Sequence, residues 1–175
     1  MLNTIIIVIV VLLAGVLGYA ATRPDSFSIQ RSITIKAPPE KIYPLISDFH
    51  QWGEWSPWEK LDPGMQRSFS GAASGQGAVY AWDGQGKVGA GRMEILQAAA
   101  PSSIVIQLDF LRPFKNRTTA TFTLQSQGDG TTVSWVMAGP SPYISKLMGL
   151  FFNMDKLIGA DFETGLANLK RLTEQ

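Results

Sequence analysis

The chain opens with a run of apolar residues that contains no charged side chain before Arg23. A helix over residues 2–22 rises about 31 Å at roughly 1.5 Å per residue, which matches the hydrocarbon thickness of a bilayer. The pattern therefore predicts a transmembrane anchor over residues 1–23. A cleaved signal peptide is the alternative, because Gly18-Tyr19-Ala20 resembles a cleavage site. The anchor is favoured because no Lys or Arg precedes the run, which is also longer than the core of most signal peptides.

Basic residues after the run predict its orientation. Arg23, Arg31, Lys36 and Lys41 follow it, whereas only the α-amino group precedes it. Basic flanks favour the cytoplasmic side of a membrane, and Arg23 is close enough to the run to carry most of the weight. We therefore expect a single-pass membrane protein whose second domain, residues 24–175, lies on the cytoplasmic side.

After the run, apolar and polar positions alternate, as they do in strands with one buried face. Residues 27–35 form the first such strand, in which Arg31 falls on the apolar side and is expected to extend its head group to water. Pro38 and Pro39 end this strand, and the second proline suits the first turn of a short helix. Six more strands are predicted over residues 65–69, 77–82, 89–98, 103–110, 117–127 and 131–138. Asp129-Gly130 predicts a hairpin between the last two.

From Leu147 onwards the apolar period becomes helical. Apolar residues recur at spacings of three and four as far as Leu172, so the pattern predicts one long C-terminal helix. Gly159 and Gly165 interrupt the stripe and indicate a bend or a close approach to the sheet. Because this helix is the only predicted element long enough to cover seven antiparallel strands, the sequence predicts a single α+β domain.

Composition excludes several classes of function. The 175 residues carry a net charge of +1 and 17% charged side chains, so no basic surface is expected that would hold a nucleic acid. The absence of cysteine excludes a disulfide framework and a thiol nucleophile, and His50 is the one histidine. We therefore expect no metal, no cofactor and no nucleic-acid partner.

Two local motifs have simpler interpretations than a functional one. Gly84 to Gly89 matches the G-x-G-x-x-G pattern of dinucleotide sites, but strands are predicted on both sides, so the segment is interpreted as a hairpin loop. His50 is interpreted as an exposed or capping residue. Among the carboxylates, Asp161 lies beside the apolar stripe of the last helix, where a solvated position is expected. No pair of acids is placed for proton transfer.

Several stretches between residues 27 and 173 resemble a known superfamily. They are Ile33 to Glu40, Trp52 to Trp58, Phe69 to Gly71, Gly77 to Trp82, Met154 to Lys156 and Gly159 to Glu163. On these residues the chain resembles the SRPBCC or START-related (Bet v 1-like) superfamily, and in particular its bacterial polyketide cyclase/dehydrase and lipid-transport branch. The resemblance implies a helix-grip fold, in which a curved seven-stranded antiparallel sheet wraps around a long C-terminal helix. It also implies a deep apolar cavity between the two that takes a hydrophobic small molecule.

Large side chains on positions that we assign to the inner face are the candidate ligand contacts. They are Trp55, Trp58, Tyr80, Trp82, Met93, Ile106, Phe110, Phe122, Trp135, Met137, Phe151, Met154 and Phe162. Aromatic side chains and methionine are typical of large apolar pockets. The alternative is that the same residues fill the interior as a solid core. Three interpretations are open for the tryptophans of Trp52 to Trp58: they form the rim of the cavity mouth, they contact the bilayer interface, or they plug the end of the sheet.

The sequence leads to three functional hypotheses. The first is binding or transport of a hydrophobic small molecule, such as a lipid, an isoprenoid, a quinone or a polyketide-like compound, because such ligands reside in the membrane beside an anchored cavity. The second is a cyclase- or dehydratase-type enzyme acting on a similar ligand. The third is a protein-interaction module that uses Trp52 to Trp58. We favour the first, since one scaffold of this superfamily carries binders, transporters and enzymes and no catalytic residue is predicted.

Overall fold

The computed structural model describes residues 1–86 and 88–175, and it contains the predicted series of elements. The helices are α1 (Leu2–Ala21), α2 (Pro39–Ser47), α3 (Trp52–Trp55), α4 (Tyr143–Met148) and α5 (Met154–Thr173). The strands are β1 (Ser26–Ile35), β2 (Gln66–Gly71), β3 (Ala78–Asp83), β4 (Ala90–Ala99), β5 (Ser103–Arg112), β6 (Asn116–Gln127) and β7 (Gly130–Pro140). Short 3₁₀ turns at Phe49–Gln51 and Pro57–Lys60 flank α3.

The strands form one antiparallel sheet in the order β1-β7-β6-β5-β4-β3-β2, which confirms the predicted fold class. Strands β2 to β7 are neighbours in chain order, as in a meander. The first strand returns to pair with β7 along its whole length, from Ser26 opposite Pro140 to Ile35 opposite Thr131. Helix α5 packs against β1, α2 and α3, so the sheet and the long helix enclose the interior between them.

The inner face of the sheet is apolar, as the alternation predicts. Phe122 of β6 is fully buried and lies opposite Trp135 of β7. Helix α5 buries Phe162 against Trp135, and the two rings stack with their centroids 4.0 Å apart. Gly165 allows this approach, because a Cβ there would lie 3.1 Å from a ring atom of Trp135. Burial of such large aromatic side chains is a main source of stability for this layer.

Arg31 fastens α5 to β1. Its side chain is 23% exposed, as expected for a head group that reaches the surface, and the guanidinium also forms two ion pairs with α5 that the sequence does not predict. Nη2 lies 3.1 Å from Asp155 Oδ2, and Nε lies 2.7 Å from Glu163 Oε1. The guanidinium lies over Gly159, where a Cβ would be 2.0 Å from an Nη atom. The close approach that the glycine predicts is therefore confirmed, and the ion pairs explain why an arginine occupies an inner position of this strand.

The C-terminal helix is interrupted, in contrast to the continuous helix predicted from Leu147. Helix α4 ends at Met148 and α5 begins at Met154. Asn153 caps α5, because its Oδ1 accepts a hydrogen bond from the backbone N–H of Lys156 at 3.0 Å. The cap starts a new helix even though the apolar period continues across the break.

Two turns between strands bear on the predictions. The β6–β7 hairpin turns at Gly128-Asp129, one residue earlier than predicted. Gly128 has a φ of +63°, a conformation that glycine adopts at little steric cost, so its position decides the turn. The Gly84 to Gly89 segment joins the antiparallel neighbours β3 and β4, as a hairpin loop does. Lys87 within it lies outside the described residues.

Among the residues described, α1 is the one helix long and apolar enough to cross a membrane. Its side chains are exposed except for that of Ala20. Near its end it contacts α4, where Tyr143 Oη donates a hydrogen bond to Leu17 O at 2.9 Å. Lys146 of α4 forms an ion pair with Asp25, which follows α1. The membrane anchor, its orientation and the domain boundary after residue 23 stay predictions.

Candidate ligand cavity

A cavity of about 380 Å³ lies between the inner face of the sheet and helix α5. Strands β3 to β7 supply one side, the segment from α3 to β2 supplies another, and the first turns of α5 supply a third. The wall is mostly apolar, and the volume lies within the range of small-molecule sites. The arrangement can enclose one hydrophobic molecule.

Most of the predicted ligand contacts line this cavity. They are Trp58, Tyr80, Trp82, Met93, Phe110, Trp135, Met137 and Met154. These residues come from separate strands, from the segment after α3 and from α5, and the shared inner face brings them together. Contact with a ligand stays a prediction for each of them.

The remaining predicted contacts lie elsewhere. Of the residues described, Trp55, Ile106, Phe122 and Phe162 lie fully buried in the solid core rather than on the cavity wall. For these four residues the structure agrees with the alternative stated above, that they fill the interior as part of a solid core. Phe151 is 71% exposed and lines a groove outside the cavity, because it precedes the start of α5.

Several lining residues lie outside the predicted set. They are Trp52, Ser56, Glu59, Met65, Val88, Leu108, Arg112, Pro113, Ala120 and Ile158. Leu108 lies on the same strand face as Ile106 and Phe110, so strict alternation along β5 predicts that it faces inward. Glu59 and Met65 lie in an irregular segment, where no period indicates which side chains face inward.

The segment Trp52 to Trp58 lies between α2 and the cavity. The indole N–H of Trp52 donates to Ile46 O at 3.0 Å and that of Trp55 donates to Leu45 O at 2.9 Å, so both rings are tied to α2. Trp52 and Trp55 are buried, whereas Trp58 is partly buried. Trp55 therefore lies in the core, whereas Trp52 and Trp58 line the cavity. A protein partner for the segment stays a prediction.

A polar cluster of Glu59, Arg67 and Tyr80 lies at the cavity wall. Glu59 Oε1 accepts a hydrogen bond from Tyr80 Oη at 2.6 Å, and Oε2 accepts one from Arg67 Nε at 2.6 Å. Arg67 also donates to the backbone oxygens of Glu59 and Met65, both at 2.8 Å. The Glu59 side chain is only 10% exposed, so its negative charge is balanced by the guanidinium of Arg67 rather than by solvent.

Burial, with the hydrogen bond to Glu59 as the second cause, raises the pKa of Tyr80 well above its ordinary range. The phenol is therefore protonated at neutral pH and donates a hydrogen bond to Glu59 Oε1. Both carboxylate oxygens already accept hydrogen bonds from protein groups, which suits a fixed structural anchor better than a proton acceptor. The phenol oxygen of Tyr80 still has a lone pair with which to accept a hydrogen bond from a ligand.

His50 and Asp161 lie off the cavity wall. The His50 ring is exposed, its Nδ1 lies 2.8 Å from Asp48 Oδ1, and it stacks on Phe69, which agrees with its interpretation as an exposed residue. Asp161 is partly buried, and burial raises its pKa, in contrast to the solvated position expected. No group of acidic or histidine side chains in residues 1–86 and 88–175 is placed to hold a metal ion.

One protein family matches nearly the whole chain after α1. The model of the family described as polyketide cyclase / dehydrase and lipid transport covers residues 26–174. The chain belongs to this family. The resemblance predicted from Ile33 to Glu40, Trp52 to Trp58 and the other stretches is thereby confirmed at the level of family and fold.

Solved structures share the fold of this family member at low identity. Protein CV1439 from Chromobacterium violaceum has a TM-score of 0.60 at 17% identity, over 87% of this chain and 99% of that one. The di-domain ARO/CYC BexL from the BE-7585A biosynthetic pathway has a TM-score of 0.64 at 18% identity, over 90% of this chain and 53% of that one. The Aha1 dimer from Colwellia psychrerythraea has a TM-score of 0.57 at 18% identity, over 85% of this chain and 96% of that one. These likenesses show the fold alone, and no curated protein matches the sequence.

Proposed function

We propose that this member of the polyketide cyclase/dehydrase and lipid transport family binds a hydrophobic small molecule between its sheet and α5. The observation that carries the proposal is the mostly apolar cavity of about 380 Å³. Protein interiors are normally packed with few voids larger than a water molecule, so a space of this size suggests an occupant. Because water finds few hydrogen-bond partners on such a wall, the fitting occupant is itself apolar.

The wall suits ligands of irregular shape. Four of the six methionines of the chain line the cavity, namely Met65, Met93, Met137 and Met154. Methionine is unbranched and polarizable, so these side chains adjust to different apolar outlines. A lipid, an isoprenoid, a quinone or a polyketide-like compound meets this description.

The polar cluster supports a ligand with one polar group. Tyr80 is held in place by Glu59, and its phenol oxygen is available to accept a hydrogen bond from a hydroxyl or an amide of the ligand. Most other lining groups are hydrocarbon, so the rest of the ligand is expected to be apolar. An amphiphile with a single donor therefore fits better than a polar metabolite.

Photo-crosslinking of the full chain in lipid nanodiscs tests the proposal. A fatty alcohol that carries a diazirine on its chain is added, the sample is irradiated, and the modified peptides are identified by mass spectrometry. We expect crosslinks on the cavity-lining residues of β3 and β4. Ala120→Phe, which places a ring into the cavity from β6, should abolish them.

Ala138→Phe is the matched control. Ala138 follows the cavity-lining Met137 on β7 and therefore faces the other side of the sheet, where an added ring leaves the cavity unchanged. Crosslinks confined to α1 in the wild-type protein would overturn the proposal. Cavity crosslinks that persist in a folded Ala120→Phe protein would overturn it as well.

A further inference from the structure

Five exposed apolar side chains lie on two segments of the domain, and we name them the apolar rim. Phe114 belongs to the turn after β5, and Ile144, Met148, Phe151 and Phe152 belong to α4 and the turn after it. Phe114 is 55% exposed and Phe151 is 71% exposed. Large exposed apolar side chains that occur together mark a surface that meets a partner or a membrane.

The apolar rim lies next to the cavity. Pro113, which precedes Phe114, lines the cavity itself. Phe151 and Phe152 line a groove of about 720 Å³ that begins where the cavity ends. The groove and the cavity share Phe110, Met137, Met154 and Ile158. A molecule that leaves the cavity past these shared residues therefore emerges at the rim.

Helix α4 sets the depth of the rim relative to α1. Tyr143 Oη donates a hydrogen bond to Leu17 O at 2.9 Å. Leu17 precedes Ala21, the last residue of α1, by four residues, which corresponds to about 6 Å along the helix at 1.5 Å per residue. With α1 across a bilayer, α4 therefore lies at the level of the lipid headgroups and the first acyl carbons.

We propose that the apolar rim is a second membrane contact, inserted into the bilayer from which α1 emerges, and that the ligand passes between cavity and bilayer at this rim. Exposed Arg23 and Lys115 lie beside the rim segments and suit anionic lipid headgroups. Tyr143 suits the headgroup layer, where aromatic side chains with a polar tip concentrate. The membrane contact depends on this geometry alone, whereas the passage of ligand rests on the function proposed above.

Site-specific fluorescence in vesicles tests the membrane contact. The chain contains no cysteine, so Phe114→Cys, Phe151→Cys and Gln125→Cys each give a single labelling site in the full chain. Each variant is labelled with the fluorophore NBD and reconstituted in vesicles of phosphatidylcholine and phosphatidylglycerol. We expect a blue-shifted emission at 114 and 151, with quenching by lipids that carry a nitroxide on the acyl chain. Gln125, exposed near the far end of β6, is the control and should emit as in water.

Water-like emission without lipid quenching at both rim positions would overturn the membrane contact. Blue-shifted emission without lipid quenching would overturn it as well, because a protein surface on the rim would shield the labels from water and from the lipid nitroxides alike.

The double variant Phe114→Asp with Phe151→Asp tests the passage of ligand. We expect the initial rate of cavity crosslinking to fall when the diazirine fatty alcohol is supplied in vesicles, while the final yield in detergent solution stays unchanged. An unchanged rate from vesicles would overturn the passage at the rim and leave cavity binding intact. The two proposals therefore fail on different readouts.

Discussion

Tyr80 is the residue whose titration reports most directly on the polar cluster. In the folded protein, burial and Glu59 raise the pKa of its phenol, whereas in the unfolded chain the phenol titrates near its usual value of about 10. The folded state therefore keeps the proton to higher pH than the unfolded state. It follows that this stabilisation is complete below about pH 10 and is lost as the pH rises above that value.

Tyr80→Phe should therefore differ from the wild-type protein in a pH-dependent way. At neutral pH the variant loses a hydrogen bond to a buried carboxylate, which lowers the free energy of unfolding by about 1–3 kcal/mol. Above about pH 10 the gap should narrow, because the wild-type phenol then loses its advantage. Urea unfolding of the full chain in detergent measures the difference in unfolding free energy at each pH, with Tyr19→Phe as the control at an exposed tyrosine. A gap that stays constant across the pH series would contradict the prediction.

The effects of substituting Gly159 and Arg31 on the free energy of unfolding are expected to depend on each other. Alanine is favoured over glycine within a helix by about 0.5–1 kcal/mol. In the wild-type protein, however, the new Cβ would lie 2.0 Å from the Arg31 guanidinium and displace it from Asp155 and Glu163. Gly159→Ala should therefore stabilise the Arg31→Ala protein but not the wild-type protein.

A double-mutant cycle in urea measures this coupling, which we expect to be about 1 kcal/mol. The two ion pairs are partly exposed and therefore contribute little individually, so most of the coupling is expected to come from the contact between the added Cβ and the Arg31 side chain. Equal effects of Gly159→Ala in both backgrounds would show that Arg31 is not the group that the glycine accommodates.

At the scale of elements, the start of α5 depends on one side chain. Asn153→Ala removes the hydrogen bond to the Lys156 N–H and should lower the free energy of unfolding by about 1 kcal/mol. Faster amide hydrogen exchange is expected in the first turn of α5, which carries the cavity residue Met154. Asn153→Asp is the control, since a carboxylate caps equally well and suits a helix N-terminus. Exchange that is as slow in Asn153→Ala as in Asn153→Asp would show that packing alone fixes this helix end.

The strands were predictable from the alternation of residue types, whereas the helix break was not predicted. On β6, threonines at 119, 121 and 123 alternate with apolar residues, and such a two-residue period has one structural solution. Between Leu147 and Met154 the apolar period continues across the break, so periodicity alone hides it. Asn153 is a residue type that often caps the start of a helix. Its sequence position alone does not show that it does so, because the capping hydrogen bond forms only when a helix starts there.

At the scale of the whole molecule, the sequence predicts which side chains face inward but not which of them border empty space. Phe122 and Met93 both occupy inner positions, yet Phe122 is core and Met93 lines the cavity. The difference depends on the local separation between the sheet and α5, which residue patterns do not encode. The cluster of Glu59, Arg67 and Tyr80 is not predicted for a similar reason, because its members come from the turn at Pro57–Lys60, from β2 and from β3 and meet only in the folded chain.

The short connection between α1 and β1 limits how far the domain can travel. Only residues 22–25 join the two elements, and four residues span at most about 14 Å when fully extended. With α1 in a bilayer, the domain stays within that distance of its own membrane surface. A molecule taken up by the cavity, as proposed above, would then return to the same membrane or pass to an acceptor that comes to it. Such a tether permits exchange at one membrane surface, whereas the domain itself cannot carry a molecule to a distant membrane.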